Sequence, residues 1–274
     1  MHLIRTYFFF LVLSFSCVNS HAQKGIDGLI NAEKSFAAYS VAHSTKEAFL
    51  HYLDSNGIVF DQAKAVNGMQ LWNAREIRPG ILNWWPEYAE ISSSNDFGYT
   101  AGPWAFQPTK NDTVVARGQY TTVWHINKNG EWKFLIDLGV GNAPAHSLKD
   151  VTQLTADKKS INKKDTSSLI VAEKDFIELF NRNPAEAYKK YLSKQSLLNR
   201  MAHAPAITPD DQRAVISSTL SSIQFTIDGW NMAPAMDMAY IYGRTILNRK
   251  TENYQRIWRH EKDGWKIALE VLRQ

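Results

Sequence analysis

The chain has 274 residues, of which 44% are hydrophobic and 21% charged, ordinary globular usage that excludes a collagen-like repeat, a coiled coil or a largely disordered chain. Lys and Arg number 31 against 27 Asp and Glu, a net charge of +4, too mild a balance to point to nucleic acid or an anionic membrane surface as partner. The length suits a leader followed by two domains of ordinary size.

In chain order the first element is that leader. Arg5, an apolar run over 7–15 and the small-residue pattern Ser20-His21-Ala22 read as a secretory signal peptide cleaved after Ala22. The expected mature protein begins at Gln23 and is periplasmic or secreted. The apolar run falls short of the roughly 20 residues that a spanning helix needs, and no later segment reaches that length, so no membrane span is expected. Cys17, the sole cysteine, lies in the leader; a lipoprotein signal would want a leucine three places before it, where Ser14 stands. A mature chain without cysteine excludes disulfides, thiolate catalysis and cysteine-ligated metals.

The chain then repeats itself. Leu29-Ile30-Asn31-Ala32-Glu33-Lys34-Ser35-Phe36 recurs as Leu169-Ile170-Val171-Ala172-Glu173-Lys174-Asp175-Phe176, an offset of 140. Tyr52-Leu53 matches Tyr191-Leu192 at 139, Asp96, Tyr99 and Gly102 match Asp237, Tyr240 and Gly243 at 141, and Tyr120 and Trp124 match Tyr254 and Trp258 at 134. Blocks that keep order and spacing mark a tandem duplication, with the extra residues of the first copy in a long loop expected over 103–113. The expected division is a signal peptide at 1–22, domain 1 at 23–142, a linker at 143–167 and domain 2 at 168–274. The linker carries Lys149, Lys158, Lys159, Lys163 and Lys164 among small polar residues and no sustained apolar period, and it reads as solvated.

Each copy opens on an amphipathic helix, with Leu29, Ala32, Phe36 and Tyr39, or Leu169, Ala172, Phe176 and Leu179, at helical spacing. A second helix starts at the capping box Ser44-Thr45-Lys46-Glu47 and at Asn183-Pro184-Ala185-Glu186. Short apolar strands follow at Gly57-Ile58-Val59-Phe60 and Ser196-Leu197-Leu198, then a third helix near Asn67 and at Thr208-Pro209-Asp210-Asp211. Each copy closes on a hairpin: 117–126 and 131–138 around Asn127-Lys128-Asn129-Gly130, 253–260 and 265–272 around Glu261-Lys262-Asp263-Gly264. Helices first and antiparallel strands after define an α+β class, two tandem cone-shaped domains in which a curved sheet wraps its helices.

The Ala-Glu-Lys-Ser-Phe helix, Tyr52-Leu53-Asp54, Trp84-Trp85-Pro86, the run Asp96-Phe97-Gly98-Tyr99-Thr100-Ala101-Gly102-Pro103-Trp104 and the closing Gly118-Gln119-Tyr120, Val123-Trp124, Gly130-Glu131-Trp132-Lys133 and Asp137 resemble one family. It is the SnoaL-like, ketosteroid-isomerase-like branch of the nuclear transport factor 2-like superfamily. The resemblance implies a conical pocket in each copy, sheet-to-sheet pairing of the copies as a dimer within one chain, and a general base at Asp61, the end of the first strand. The family's enolate-donating tyrosine is missing from the first helix, which offers Phe36 or Ala37 there, so Tyr39 or Tyr99 would have to serve.

Aromatic load and strand alternation supply the candidate ligand contacts of copy one: Trp84, Trp104, Tyr120, Trp124, His125 and Asp137. Copy two carries Arg200 for Asp61, Arg259 for His125 and Phe225 for Trp84, while Tyr240, Tyr242 and Arg244 in place of Tyr99, Ala101 and Pro103 are expected to crowd its cone or make it cationic. No cofactor or metal is expected: the histidines lack ligand spacing, and phosphate-loop, nucleophile-elbow and dinucleotide fingerprints are absent. The reading favoured is a module that binds a small amphipathic ligand in domain 1, with domain 2 as structural partner. Its alternatives are a cofactor-free proton-transfer enzyme of isomerase, dehydratase or cyclase type using Asp61, and a protein-protein adaptor working through its sheet face.

Overall fold

The structure, a computed structural model, describes residues 23–141, 150–162 and 165–274; the expected leader lies outside them. Helix α1 (Ile26–Ala42) buries one stripe that includes Leu29, Glu33, Phe36 and Ser40. Ser44 caps α2 (Thr45–Tyr52), accepting from the Glu47 amide at 3.1 Å and donating to its carboxylate at 2.7 Å. Strand β1 (Leu53–Asp61) turns through Gln62 and Ala63, both at positive φ, into β2 (Lys64–Asn67), and Asn67 caps α3 (Gly68–Ala74). Strands β3 (Ile81–Trp84) and β4 (Tyr88–Ile91) both pair with β5 (Phe97–Gln107), which pairs in turn with β6 (Ala116–Ile126). The first half ends on β7 (Trp132–Asp137) and β8 (Val140–Gly141).

The first part of the loop expected over 103–113, residues 103–107, is therefore strand. The true insertion is 108–115, where domain 2 has only Asn248 and Arg249, a tight turn with φ of 50° and 67°. Pro103 is tolerated inside β5 because it sits where β3 gives way to β4: its carbonyl accepts from Trp85 N–H at 3.4 Å, and the amide it lacks has no strand to serve.

The segment between the copies also departs from expectation. Strand β9 (Thr152–Gln153) lies parallel to β4 on the sheet edge. Beyond it the Lys159 amide donates to His260 O at 2.8 Å, and the Ile161 amide to Met236 O at 3.1 Å. Lys158, partly buried, pairs with the wholly buried Glu90 at 3.1 Å. Residues 150–162 are thus a strap tied to both halves. Edge pairing uses backbone groups, so it leaves no apolar period to read.

Domain 2 repeats the plan with α4 (Ser167–Arg182), α5 (Pro184–Tyr191), β10 (Leu192–Arg200), α6 (Pro209–Ser218) and strands β11 (Gln224–Met232), β12 (Met238–Leu247), β13 (Lys250–Glu261) and β14 (Gly264–Leu272). The sheet orders are β2-β1-β7-β6-β5-β4-β9 and β10-β14-β13-β12-β11, with β1 parallel to β7 and β10 parallel to β14. One face of each sheet packs on its own helices. The opposite faces meet each other, Tyr99, Val123 and Ile136 of one half packing with Leu197, Tyr240 and Leu269 of the other. No helix among the described residues is long and apolar enough to cross a membrane.

Candidate functional site

The interior of the domain 1 cone is a cavity of about 410 Å³ walled by Phe36, Phe49, Trp84, Trp104 and Tyr120, with Asp137 as the acid that domain 1 contributes to its lining. Strand alternation puts these groups there. Tyr120, Thr122 and Trp124 share the face of β6 that looks toward the helices, and Thr122 stands directly across from Asp137 on β7. Domain 2 completes the mouth with Met201, Glu252 and Arg273. Trp104 lies flat because Gly118 gives it room: a Cβ there would meet the Trp104 indole at 2.5 Å and Val140 O at 1.9 Å. Its Nε1 donates to Val140 O at 3.2 Å.

Beneath the aromatic wall lies Glu33, wholly buried on α1. It accepts from Trp84 Nε1 at 2.5 Å, from Trp124 Nε1 at 2.8 Å and from the Thr100 hydroxyl. Burial pushes its carboxyl up to about 7, against the pull of those three donors. Burial likewise raises Asp137 to about 6, opposed by the Thr122 hydroxyl at 2.7 Å and by the positive charge of Arg273. Two polar groups of the cavity are left open among the described residues. The Tyr120 hydroxyl lies near Thr100, whose proton goes to Glu33, and finds no partner of hydrogen-bond geometry. The guanidinium of Arg273 spends only its Nε, on Gly139 O at 2.7 Å.

The domain 2 cone has the same frame and a different content. Where Thr122 faces Asp137, Arg256 faces Glu270. The wholly buried Arg256 reaches both Glu173, the counterpart of Glu33, and Glu270, and Arg200 adds a second ion pair to Glu270. Burial works to raise Glu270, but Arg200 and Arg256 together hold it below the ordinary carboxylate range. These arginines occupy the depth of the cone, and a smaller pocket of about 270 Å³, lined by Arg200, Val215, Ile223 and Leu272, remains. Tyr240 and Tyr242 sit instead in the layer between the sheets, and Arg244 pairs outside with Asp228 at 2.8 Å, so the cone is crowded by different residues from those expected.

Of the sequence-predicted ligand contacts, Trp84, Trp104, Tyr120 and Asp137 come together on the cavity. Trp124 lies under it, bonded to Glu33. His125 stands outside, its Nε2 2.9 Å from Asp54 Oδ2. The three residues assigned to proton transfer are not brought together. Asp61 is on the cone-facing side of β1 at its very end, where Arg75, just beyond α3, pairs with it at 2.8 Å and leaves it about a third exposed, outside the cavity. Tyr39 stacks between His43 and His51. Tyr99 faces the other half and donates to Glu90 at 2.9 Å. Missed altogether were Glu33, Thr122 and Arg273. Glu33 had a signal, an acid in phase with Leu29 and Phe36 on the apolar stripe that recurs as Glu173.

No family model and no curated protein matches the chain. Among solved structures, what it is similar to are nuclear transport factor 2-like and ketosteroid-isomerase-like proteins, each over about two fifths of its length. A nuclear transport factor 2-like protein of unknown function from Shewanella oneidensis MR-1 is 19% identical with a TM-score of 0.34, over 40% of this chain and 99% of that one. A ketosteroid isomerase-like protein from Erwinia carotovora atroseptica SCRI1043 is 14% identical with a TM-score of 0.35, over 41% and 97%. A nuclear transport factor 2-like protein from Cytophaga hutchinsonii ATCC 33406 is 16% identical with a TM-score of 0.32, over 40% and 97%.

Proposed function

We propose that the chain is an exported protein that holds a small amphipathic molecule in the domain 1 cone, with domain 2 as its structural partner. One contrast carries the reading: two copies of one frame, the second occupied in its depth by buried ion pairs and left with a smaller pocket of about 270 Å³, the first an aromatic cavity of about 410 Å³ with an acid, Asp137, in its wall. An apolar wall with a few convergent polar groups is what small-molecule sites require. The proton-transfer alternative loses its base, since Asp61 is engaged by Arg75 outside the cavity. The adaptor alternative loses its surface, since the two sheet faces cover each other.

The test is a fluorescence titration of the chain from Gln23 onward with N-phenyl-1-naphthylamine, a neutral amphipath. Saturable binding is expected, with Trp104→Ala costing about 1–3 kcal/mol, the scale of one truncated aromatic contact. Trp230→Ala, at an exposed tryptophan of domain 2, should leave affinity unchanged. Absence of binding, or weakening by the Trp230 variant alone, would overturn the reading. Export is tested separately by mass spectrometry of periplasmic or secreted material, which should begin at Gln23; an intact Met1 would refute it.

A further inference from the structure

Resting on that reading, we infer that the ligand presents a planar cation, a guanidinium or amidinium group, to the domain 1 cavity, in the place that the Arg256 side chain occupies in domain 2. The second copy serves as an internal template. Its Arg256 guanidinium carbon lies 4.3 Å from the Phe176 ring centre, 4.5 Å from Phe225 and 4.6 Å from Tyr254, and its nitrogens bond Glu173 and Glu270.

Strand register fixes the counterparts in domain 1. Trp84 pairs with Trp104 as Phe225 pairs with Thr245, Tyr120 with Gly102 as Tyr254 with Gly243, and Thr122 with Asp137 as Arg256 with Glu270. Phe36 and Phe176 occupy the same turn of the first helix. Three aromatic walls and the last-strand acid are therefore kept, while the in-cone cation Arg256 gives way to a threonine too short to fill its space and Arg200, the second partner of Glu270, gives way to Asp61; the positive charge that remains near Asp137 is Arg273 at the mouth. Trp84 in place of Phe225 gives a stronger face for a cation.

The hydrogen bonding around the two first-helix acids shows what a guest would find. Tyr254 donates to Glu173 at 3.0 Å. In domain 1 the donors Trp84 and Thr100 satisfy Glu33 instead, so Tyr120, 5% exposed, keeps an idle hydroxyl. Asp137 has one oxygen on Thr122 and no bond to the other among the described residues. An amidinium has the flat shape for the aromatic slot and N–H groups for that Asp137 oxygen. The titration of the acids agrees: with arginines in place Glu270 lies below its ordinary range, while Asp137 is pushed up to about 6.

The experiment is calorimetric titration of the chain from Gln23 onward with three isosteric probes: naphthalene-2-carboxamidine, naphthalene-2-carboxamide and naphthalene-2-carboxylate. The cation should bind at least about tenfold more tightly than the neutral amide, the scale of one charge-assisted hydrogen bond, and Asp137→Asn should erase that preference. Thr122→Arg, which supplies the cation covalently, should abolish amidine binding while the variant remains folded by circular dichroism. Equal binding of amide and amidine would overturn the inference and leave the amphipathic-ligand reading standing. Tighter binding of the carboxylate would overturn it in favour of an anion held by Arg273. Failure of all three probes, and of the neutral naphthylamine, would remove both.

Discussion

Replacing Glu33 by Gln should flatten the pH dependence of stability. In the native cone the carboxyl titrates at about 7, against an unperturbed 4.5. The folded state therefore holds a proton through a window in which the unfolded chain has released it, and stability falls as pH rises from about 4.5 to 7. At about 1.4 kcal/mol per pH unit of displacement, that window is worth about 3 kcal/mol. The burial that causes the displacement is complete, so solvent screening does not erode it. Glutamine keeps the length of the side chain but turns an N–H₂ toward the donors of Trp84, Trp124 and Thr100, so the variant starts from a lower stability, by about 1–3 kcal/mol for the mismatched donor. The informative quantity is the slope. Denaturant melts of wild type and variant at pH 5.0, 6.0 and 7.5, followed by tryptophan fluorescence, should show the wild type losing about 2 kcal/mol more than the variant across the series, the part of the window that these pH values span. Equal slopes would mean that Glu33 is ionised throughout, and the account of burial outweighing three donors would be wrong.

Three further outcomes follow from the same contrasts. Arg256→Ala leaves the wholly buried Glu173 without its ion-pair partner and should cost domain 2 about 3–5 kcal/mol in denaturation. Gly118→Ala drives a methyl into Val140 O and the Trp104 indole; about 1–3 kcal/mol of stability should be lost, together with binding of the naphthylamine probe. Asp61→Asn breaks a half-exposed pair with Arg75, so melts should move by no more than about 1 kcal/mol and the probe affinity should stay put.

Much of the frame was legible because its signals are local. Ser44, Asn183 and Thr208 cap the helices they were expected to cap, and Gly130 and Gly264, at φ of 78° and 98°, turn the two closing hairpins. What stayed hidden depends on partners distant in sequence. Strand β5 runs through Pro103 because of a gap between β3 and β4 that no window of sequence displays. The strap over 150–162 is held by backbone groups of two separate sheets, with only Leu154 and Ile161 to hint at it. In the site, the aromatic candidates Trp84, Trp104 and Tyr120 and the acid Asp137 line the cavity, whereas Trp124 lies beneath it and Asp61 outside it. A carboxylate at a strand end reads the same whether it enters a cone or meets an arginine, and Arg75 decided the matter for Asp61.

The duplication also explains how one small domain can keep an open interior. A cavity walled by Phe36, Trp84 and Tyr120 forfeits dispersion contacts that a filled core would make, and two raised carboxyls add to the burden near neutral pH. The compensation lies on the other side of the sheet. Tyr99, Val123 and Ile136 are sealed against domain 2, and Glu90, buried in the same layer, holds Lys158 and Arg259. Domain 2 can supply this support because buried ion pairs of Arg256 and Arg200 occupy the depth of its own cone and leave a smaller pocket there. On the proposed reading, stability and recognition, which compete within a single core, fall to different copies. The mouth residues Glu252 and Arg273 belong to the stable copy, so the support reaches the site itself as well as the scaffold beneath it.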